Sequence, residues 1–92
     1  MPHSSSFTLG SVTIGGGKLF LIAGPCVLES EPHARKLADA IQRIASDLAV
    51  PYIFKASYDK ANRTSIRSFR GPGLTEGCRI LRDLGETNRL PL

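Results

Sequence analysis

An α/β fold built on a parallel sheet follows from three features of the chain, taken in order. Leu19-Phe20-Leu21-Ile22-Ala23 is a continuous apolar run closed by Gly24-Pro25, the pattern of a strand buried on both faces. Ala34, Leu37, Ala38, Ile41, Ile44, Ala45 and Leu48 then recur at steps of three and four, which is a helical stripe. Tyr52-Ile53-Phe54-Lys55-Ala56-Ser57 reads as a second strand, and strand, helix and strand in that order imply a right-handed parallel crossover.

Each boundary has a local reason. Residues 1–6 read as a flexible tail ahead of a single domain over 7–92. Phe7 to Ile14 alternates loosely and is followed by Gly15-Gly16-Gly17, the signature of a short hairpin whose second arm leads into Lys18. Ser30-Glu31-Pro32 supplies a capping hydroxyl, an acid in the first turn and a proline where a helix tolerates one. That helix is expected to stop near Ala49, before Pro51. Leu74, Cys78, Leu81 and Leu84 predict a second amphipathic helix, capped by Thr75 or a residue just before it and ending between Gly85 and Asn88. Leu90-Pro91-Leu92 reads as the opening of a third strand. Two strand-helix units with an open edge suit either an open doubly wound sheet or the first quarter of an eightfold barrel, and the pattern leaves both open. A chain with such an edge is expected to be poorly folded or aggregation-prone by itself.

Composition narrows the function classes. With 92 residues, 41% hydrophobic and 22% charged, the chain is globular in character and holds at most one domain. The longest apolar stretch is far short of the roughly 20 residues that cross a bilayer. The N-terminus Met-Pro-His-Ser-Ser-Ser has no positive side chain before Lys18, unlike a secretory signal, so a cytoplasmic protein without membrane partners is expected. Cys26 and Cys78 are expected to be free thiols, with Cys78 in helix packing and His33 on the surface. The net charge of +4 gives only a weak leaning toward anionic partners.

The location of the cations says more. From Tyr58 to Gly73 no period is visible, and such a long connection usually carries function. Lys55, Lys60, Arg63, Arg67 and Arg70 lie in or beside it, with Asp59 the only acid among them, which predicts a local positive field. In parallel sheets ligands bind beyond the carboxyl ends of strands, where this segment emerges. Arginine forks, lysine point charges and the neutral donors Ser57, Asn62, Thr64 and Ser65 suit phosphorylated, acidic small molecules. The competing interpretation is a solvated basic loop. Lys55, at the end of an apolar strand, is expected to be partly desolvated and met by an anion, against the alternative that its stem runs along apolar neighbours. Cys26, on the same rim, could be a nucleophile, a soft metal ligand or a small buried hydrophobe. A basic binding module for nucleic acid would use the same cations, but Tyr58 and Phe69 are the only aromatics in the loop, so no nucleic-acid partner is expected.

The segments IAGPCVLES at 22–30 and FKASYDKANRTSIRSFRGPGL at 54–74 closely resemble the 3-deoxy-D-manno-octulosonate 8-phosphate synthases, also called 2-dehydro-3-deoxyphosphooctonate aldolases. The related 3-deoxy-heptulosonate (DAHP) synthases share the Gly-Pro-Cys turn but carry Lys-Pro-Arg-Thr-Ser where this chain has Lys60-Ala61-Asn62-Arg63-Thr64-Ser65. The resemblance covers about residues 10–92. It implies the N-terminal part of a (β/α)8 TIM barrel with an N-terminal hairpin at the barrel bottom, commonly in a homotetramer. The implied reaction condenses phosphoenolpyruvate with arabinose 5-phosphate and water, releases phosphate and feeds lipopolysaccharide synthesis. A DAHP synthase acting on erythrose 4-phosphate is the alternative enzyme.

The resemblance further implies that Lys55 and Lys60 lie near phosphoenolpyruvate and that Asn62 and Arg63 position the sugar phosphate; Ser57, read above as a neutral donor, and Thr64 join them as substrate-binding candidates. Lys60 and Asn62 are the catalytic candidates. Arg63 is expected to reach a neighbouring subunit's site, and Thr64 stands where a serine is often found. Members with a cysteine at the position of Cys26 form the metal-dependent class. Cys26 is thus the expected ligand of a divalent ion, with zinc, iron, manganese and cadmium all compatible with one thiolate. The family's other ligands, a histidine, a glutamate and an aspartate, are expected in later strands, so this portion alone is expected to be inactive.

Overall fold

The computed structural model describes residues 5–60 and 69–92. In chain order it places β1 at Phe7–Leu9, β2 at Val12–Ile14, β3 at Leu21–Ala23, α1 at Glu31–Asp47, β4 at Tyr52–Phe54 and α2 at Leu74–Asn88. The α/β class is as expected, with two helices and two small sheets. β1 and β2 form the hairpin, Phe7 opposite Ile14 and Leu9 opposite Val12. Its turn falls at Gly10-Ser11, and the three glycines follow the second arm.

β3 and β4 pair in parallel, with Leu21 beside Tyr52, Ile22 beside Ile53 and Ala23 beside Phe54. A helix between two parallel neighbours is the expected crossover. Both strands are shorter than the apolar runs that announced them. The pairing nonetheless continues past their ends, through Lys55 N–H donating to the Ala23 carbonyl and a bridge between Val27 and Ser57. On the other side of β4, Phe54 N–H donates to the Pro91 carbonyl at 2.9 Å. Residues 90–92 therefore run beside β4, where the opening of a third strand was expected.

α1 begins where its sequence dictates. The Ser30 hydroxyl accepts from His33 N–H at 3.2 Å, Glu31 lies in the first turn and Pro32 adopts an early helical position. Its buried side chains are Ala34, Ala38 and Ala45, small residues that let the helix come close to the sheet. Ile44 and Leu48, counted in the predicted stripe, are exposed. Among the described residues nothing covers that side of the helix. α2 bears out part of its prediction and corrects part. Its cap is Gly73, with no side chain capping the first turn, and its buried residues are Gly77, Ile80 and Leu84. Of the predicted stripe, Leu84 is buried and Leu81 packs against the core, whereas Leu74 and Cys78 are exposed and Gly77 and Ile80 turn inward instead. The cause is a sequence with apolar residues on neighbouring faces, between which packing against β4 and α1 chooses.

Leu28, Ala34, Ala38, Ala45, Tyr52, Phe54, Ile80 and Leu84 form the core between the β3–β4 sheet and the two helices. The helices are also tied by polar groups. Gln42 Nε2 donates to the Asn88 carbonyl at 3.0 Å, and Asn88 Nδ2 donates to Asp39 at 2.7 Å and to Gln42 Oε1 at 3.1 Å. Arg79 of α2 reaches Glu31 at the start of α1 at 3.0 Å and Asp83 at 2.9 Å, and also pairs with Glu76. On the opposite face of the sheet lies an open apolar groove of about 310 Å³, lined among others by Leu9, Ile14, Ile22, Ile53 and Lys55. β3 itself departs from the expectation of burial on both faces: Leu21 is 37% and Ile22 53% exposed. Among the described residues it has β4 on one edge only, and its run of apolar side chains meets no second strand.

Candidate functional site

The carboxyl ends of β3 and β4 are drawn together by backbone. After Ala23 the chain turns at Gly24-Pro25, and a Cβ on Gly24 would run into the Lys55 carbonyl. Glycine is needed there for the two chain exits to lie in contact. Beyond the turn, Val27 pairs with Ser57 and Leu28 N–H donates to the Ser57 carbonyl at 2.9 Å. Val27 and Leu28 are buried, whereas Cys26, one residue earlier, is an exposed free thiol. Cys26, Lys55 and Ser57 thus occupy one rim, at the strand ends where an α/β ligand site belongs.

Lys55 is exposed rather than partly desolvated. It follows the last residue of β4 on the same side as Ile53, so its stem lines the apolar groove while its surface remains open to solvent. The predicted burial came from the apolar strand before it, which is indeed buried, but no described element covers the rim itself. Ser57 and Lys60 are half-buried.

The long connection after β4 has a stitched base. Gly73 N–H donates to the Tyr58 carbonyl at 3.0 Å, and Lys60 N–H donates to the Arg70 carbonyl at 2.7 Å. Between these, Arg70 grips Asp59 with both arms, Nε to Oδ1 at 3.0 Å and a terminal nitrogen to Oδ2 at 3.1 Å. Gly71, at φ +112°, is pressed against the Tyr58 carbonyl and the Val27 side chain, where a Cβ would not fit. Gly77 of α2 packs on Tyr58 from the other side. Arg70 is therefore a structural partner of the one acid in the segment rather than a free contributor to its field. Neither the clasp nor its glycine was foreseen. The available signal was an isolated acid among cations, followed after eleven residues by an arginine and Gly71-Pro72-Gly73.

Asn62, Arg63, Thr64, Ser65 and Arg67 lie outside the described residues. Among the described residues no three histidine, cysteine, aspartate or glutamate side chains come together as a metal would require. Cys26 contributes one donor on the rim, and one donor by itself does not make a metal site. Cys78, expected in helix packing, is on the surface because α2 turns Gly77 and Ile80 inward in its place. Charged groups elsewhere serve the fold. The guanidiniums of Arg79 and Arg35 hold the Glu31 carboxyl below its ordinary value, and burial pushes the Tyr52 phenol up to about 12. No helix of the described residues is long and apolar enough to cross a membrane.

Residues 3–92 match the model of the DAHP synthetase I family, and the chain belongs to that family. Within it, the similar relatives carry one name. The 2-dehydro-3-deoxyphosphooctonate aldolase of Koribacter versatilis (strain Ellin345) is 60% identical over 86 residues, covering 94% of this chain and 31% of the relative. Those of Trichlorobacter lovleyi and Geobacter metallireducens are 51% and 53% identical, covering 97% and 91% of this chain and 33% and 31% of theirs. The chain spans about a third of the length of the curated relatives it matches. The resemblance to the octulosonate 8-phosphate synthases is borne out by these names.

Proposed function

We propose that this chain forms the N-terminal part, over residues 7–92, of a (β/α)8 barrel enzyme that makes 3-deoxy-D-manno-octulosonate 8-phosphate. Its substrates are phosphoenolpyruvate, arabinose 5-phosphate and water, and it releases phosphate, in the cytoplasmic supply of lipopolysaccharide sugar. The observation that carries the reading is the rim itself. Cys26, Lys55, Ser57 and Lys60 stand on two adjoining strand exits bound by backbone hydrogen bonds, in a chain whose relatives share the aldolase name.

In this reading Lys55 and Lys60 place positive charge by the carboxylate and phosphate of phosphoenolpyruvate as its methylene carbon attacks the sugar aldehyde. Ser57 adds a neutral donor. Asn62, Arg63 and Thr64 bind the sugar phosphate, Asn62 and Lys60 being the groups nearest the chemistry. Each charge-assisted hydrogen bond contributes roughly 1.5 to 3 kcal/mol, so a few such contacts support micromolar binding. Cys26 supplies one thiolate toward a divalent ion whose other ligands come from later strands of the barrel. Arg63 serves a neighbouring subunit in a homotetramer.

The test joins residues 1–92 of this chain to the remaining two thirds of the Koribacter versatilis relative, in place of that protein's own matching part. Phosphate release with phosphoenolpyruvate is then measured against arabinose 5-phosphate and erythrose 4-phosphate. Turnover with arabinose 5-phosphate is expected. Preference for erythrose 4-phosphate would move the segment to the heptulosonate branch of its family, and retention on nucleic acid with a steep salt dependence would favour a basic binding module.

A further inference from the structure

We propose that the Asp59–Arg70 ion pair is a positioning clamp for Lys60, holding that lysine at the anionic-substrate rim. The proposal rests on the reading above that Lys60 meets a phosphorylated acid. Four observations carry it. The ion pair is two-armed, at 3.0 and 3.1 Å, a geometry that fixes orientation as well as distance. It sits beside the Lys60 N–H to Arg70 carbonyl bond of 2.7 Å, so Arg70 holds Lys60 by its backbone and, by its side chain, Asp59, the residue just before Lys60. One step outward, Gly73 N–H binds the Tyr58 carbonyl, and Gly71 closes on that carbonyl with no room for a side chain. Finally, Ser57 is anchored to Val27 and Leu28, so the strand exit and the clasp bracket Tyr58 to Lys60 from both ends.

Exposure argues against a stability role. The Arg70 and Asp59 side chains are 57% and 41% exposed, and ion pairs so placed contribute little to folding. Their geometric effect is larger, because a lysine stem has four rotatable bonds and only its backbone can be preset. The pairing also occupies the carboxylate adjacent to Lys60, which would otherwise compete with an anionic substrate for that ammonium.

The experiment uses the chimera described above, with Asp59→Asn, Arg70→Gln, the double substitution and Arg70→Lys. A clamp predicts that both single variants lower kcat/KM for phosphoenolpyruvate by about five- to tenfold, with the KM for arabinose 5-phosphate within about twofold. The double variant is no worse than the worse single, since either change opens the same clasp. Arg70→Lys, which keeps the charge and loses the fork, recovers only part of the loss. A pure charge effect would move the two singles in opposite directions, because one removes an anion and the other a cation. That result, additive losses in the double, or unchanged kcat/KM for phosphoenolpyruvate would overturn the proposal. Hydrogen exchange at the Lys60 amide decides the clamp without turnover: it is expected to quicken about tenfold in both singles, and unchanged exchange would refute the clamp. Failure of the unsubstituted chimera on arabinose 5-phosphate would instead count against the enzymatic reading, leaving the exchange comparison intact.

Discussion

β3 and β4 are neighbours of equal length, both apolar, and they meet opposite fates. Ile53 and Phe54 of β4 are 4% and 0% exposed, whereas Leu21 and Ile22 of β3 are 37% and 53% exposed. The difference lies in their surroundings rather than their side chains. β4 has β3 on one edge and the Pro91 carbonyl on the other, with the helix core on one face. β3 has one partner. An apolar run therefore identifies a strand, while the number of elements around it sets how much water it loses.

The largest expected effect tests β4. Phe54→Ala removes the largest fully buried side chain and should cost about 3–5 kcal/mol of unfolding free energy in urea denaturation. Ile22→Ala, the matching change on β3, should cost less than about 1 kcal/mol in this chain, because the half-exposed side chain leaves little cavity behind. Equal losses would break the comparison. The open β3 edge also predicts self-association of the 92-residue chain, reduced by Ile22→Lys in sedimentation velocity. A species that stays monomeric at every loading concentration would contradict that.

Tyr52→Phe sharpens the comparison on the polar side. The Tyr52 hydroxyl donates to the Ala23 carbonyl at 2.9 Å, linking the two strands, and its loss should cost about 1 kcal/mol. Burial raises the phenol from 10.0 to about 12, so over that interval the unfolded chain ionises first and stability falls as pH rises. The phenylalanine variant should flatten that alkaline limb in pH-dependent melting.

The smallest effect concerns Glu31. Its folded-state pKa is lowered by Arg79 and Arg35, so the carboxylate stabilises the fold above its ordinary value of 4.5, and that contribution disappears as pH falls through the lowered value. Glu31→Gln should blunt the acid limb of the stability profile and leave the alkaline limb unchanged. A variant curve parallel to the parent's would assign the acid limb to other carboxylates.

Legibility followed the range of the interaction. Ser30-Glu31-Pro32 announced the start of α1 because a cap is satisfied within three residues, and the hairpin and the parallel crossover were likewise readable from spacing and element order. The first half of the α2 stripe was misjudged because Leu74, Cys78 and Ile80 offer competing faces, and the neighbours that chose among them are remote in sequence. Lys55 looked buried for a related reason: its strand is buried, its rim is not. At the site, the residue types and the strand-end placement were legible, but the clasp joining Asp59 to Arg70 was not. Two charges eleven residues apart do not declare whether they meet.

By itself, the order of residues determined the element types, their sequence and the chemistry gathered after β4, since these depend on local backbone preference and on which side chains carry charge. Only the tertiary structure decided which apolar strand is dry, which helix face turns inward and which cation is spent on an internal partner. Those outcomes depend on what the folded chain brings alongside each residue, and water leaves a side chain only where another surface replaces it.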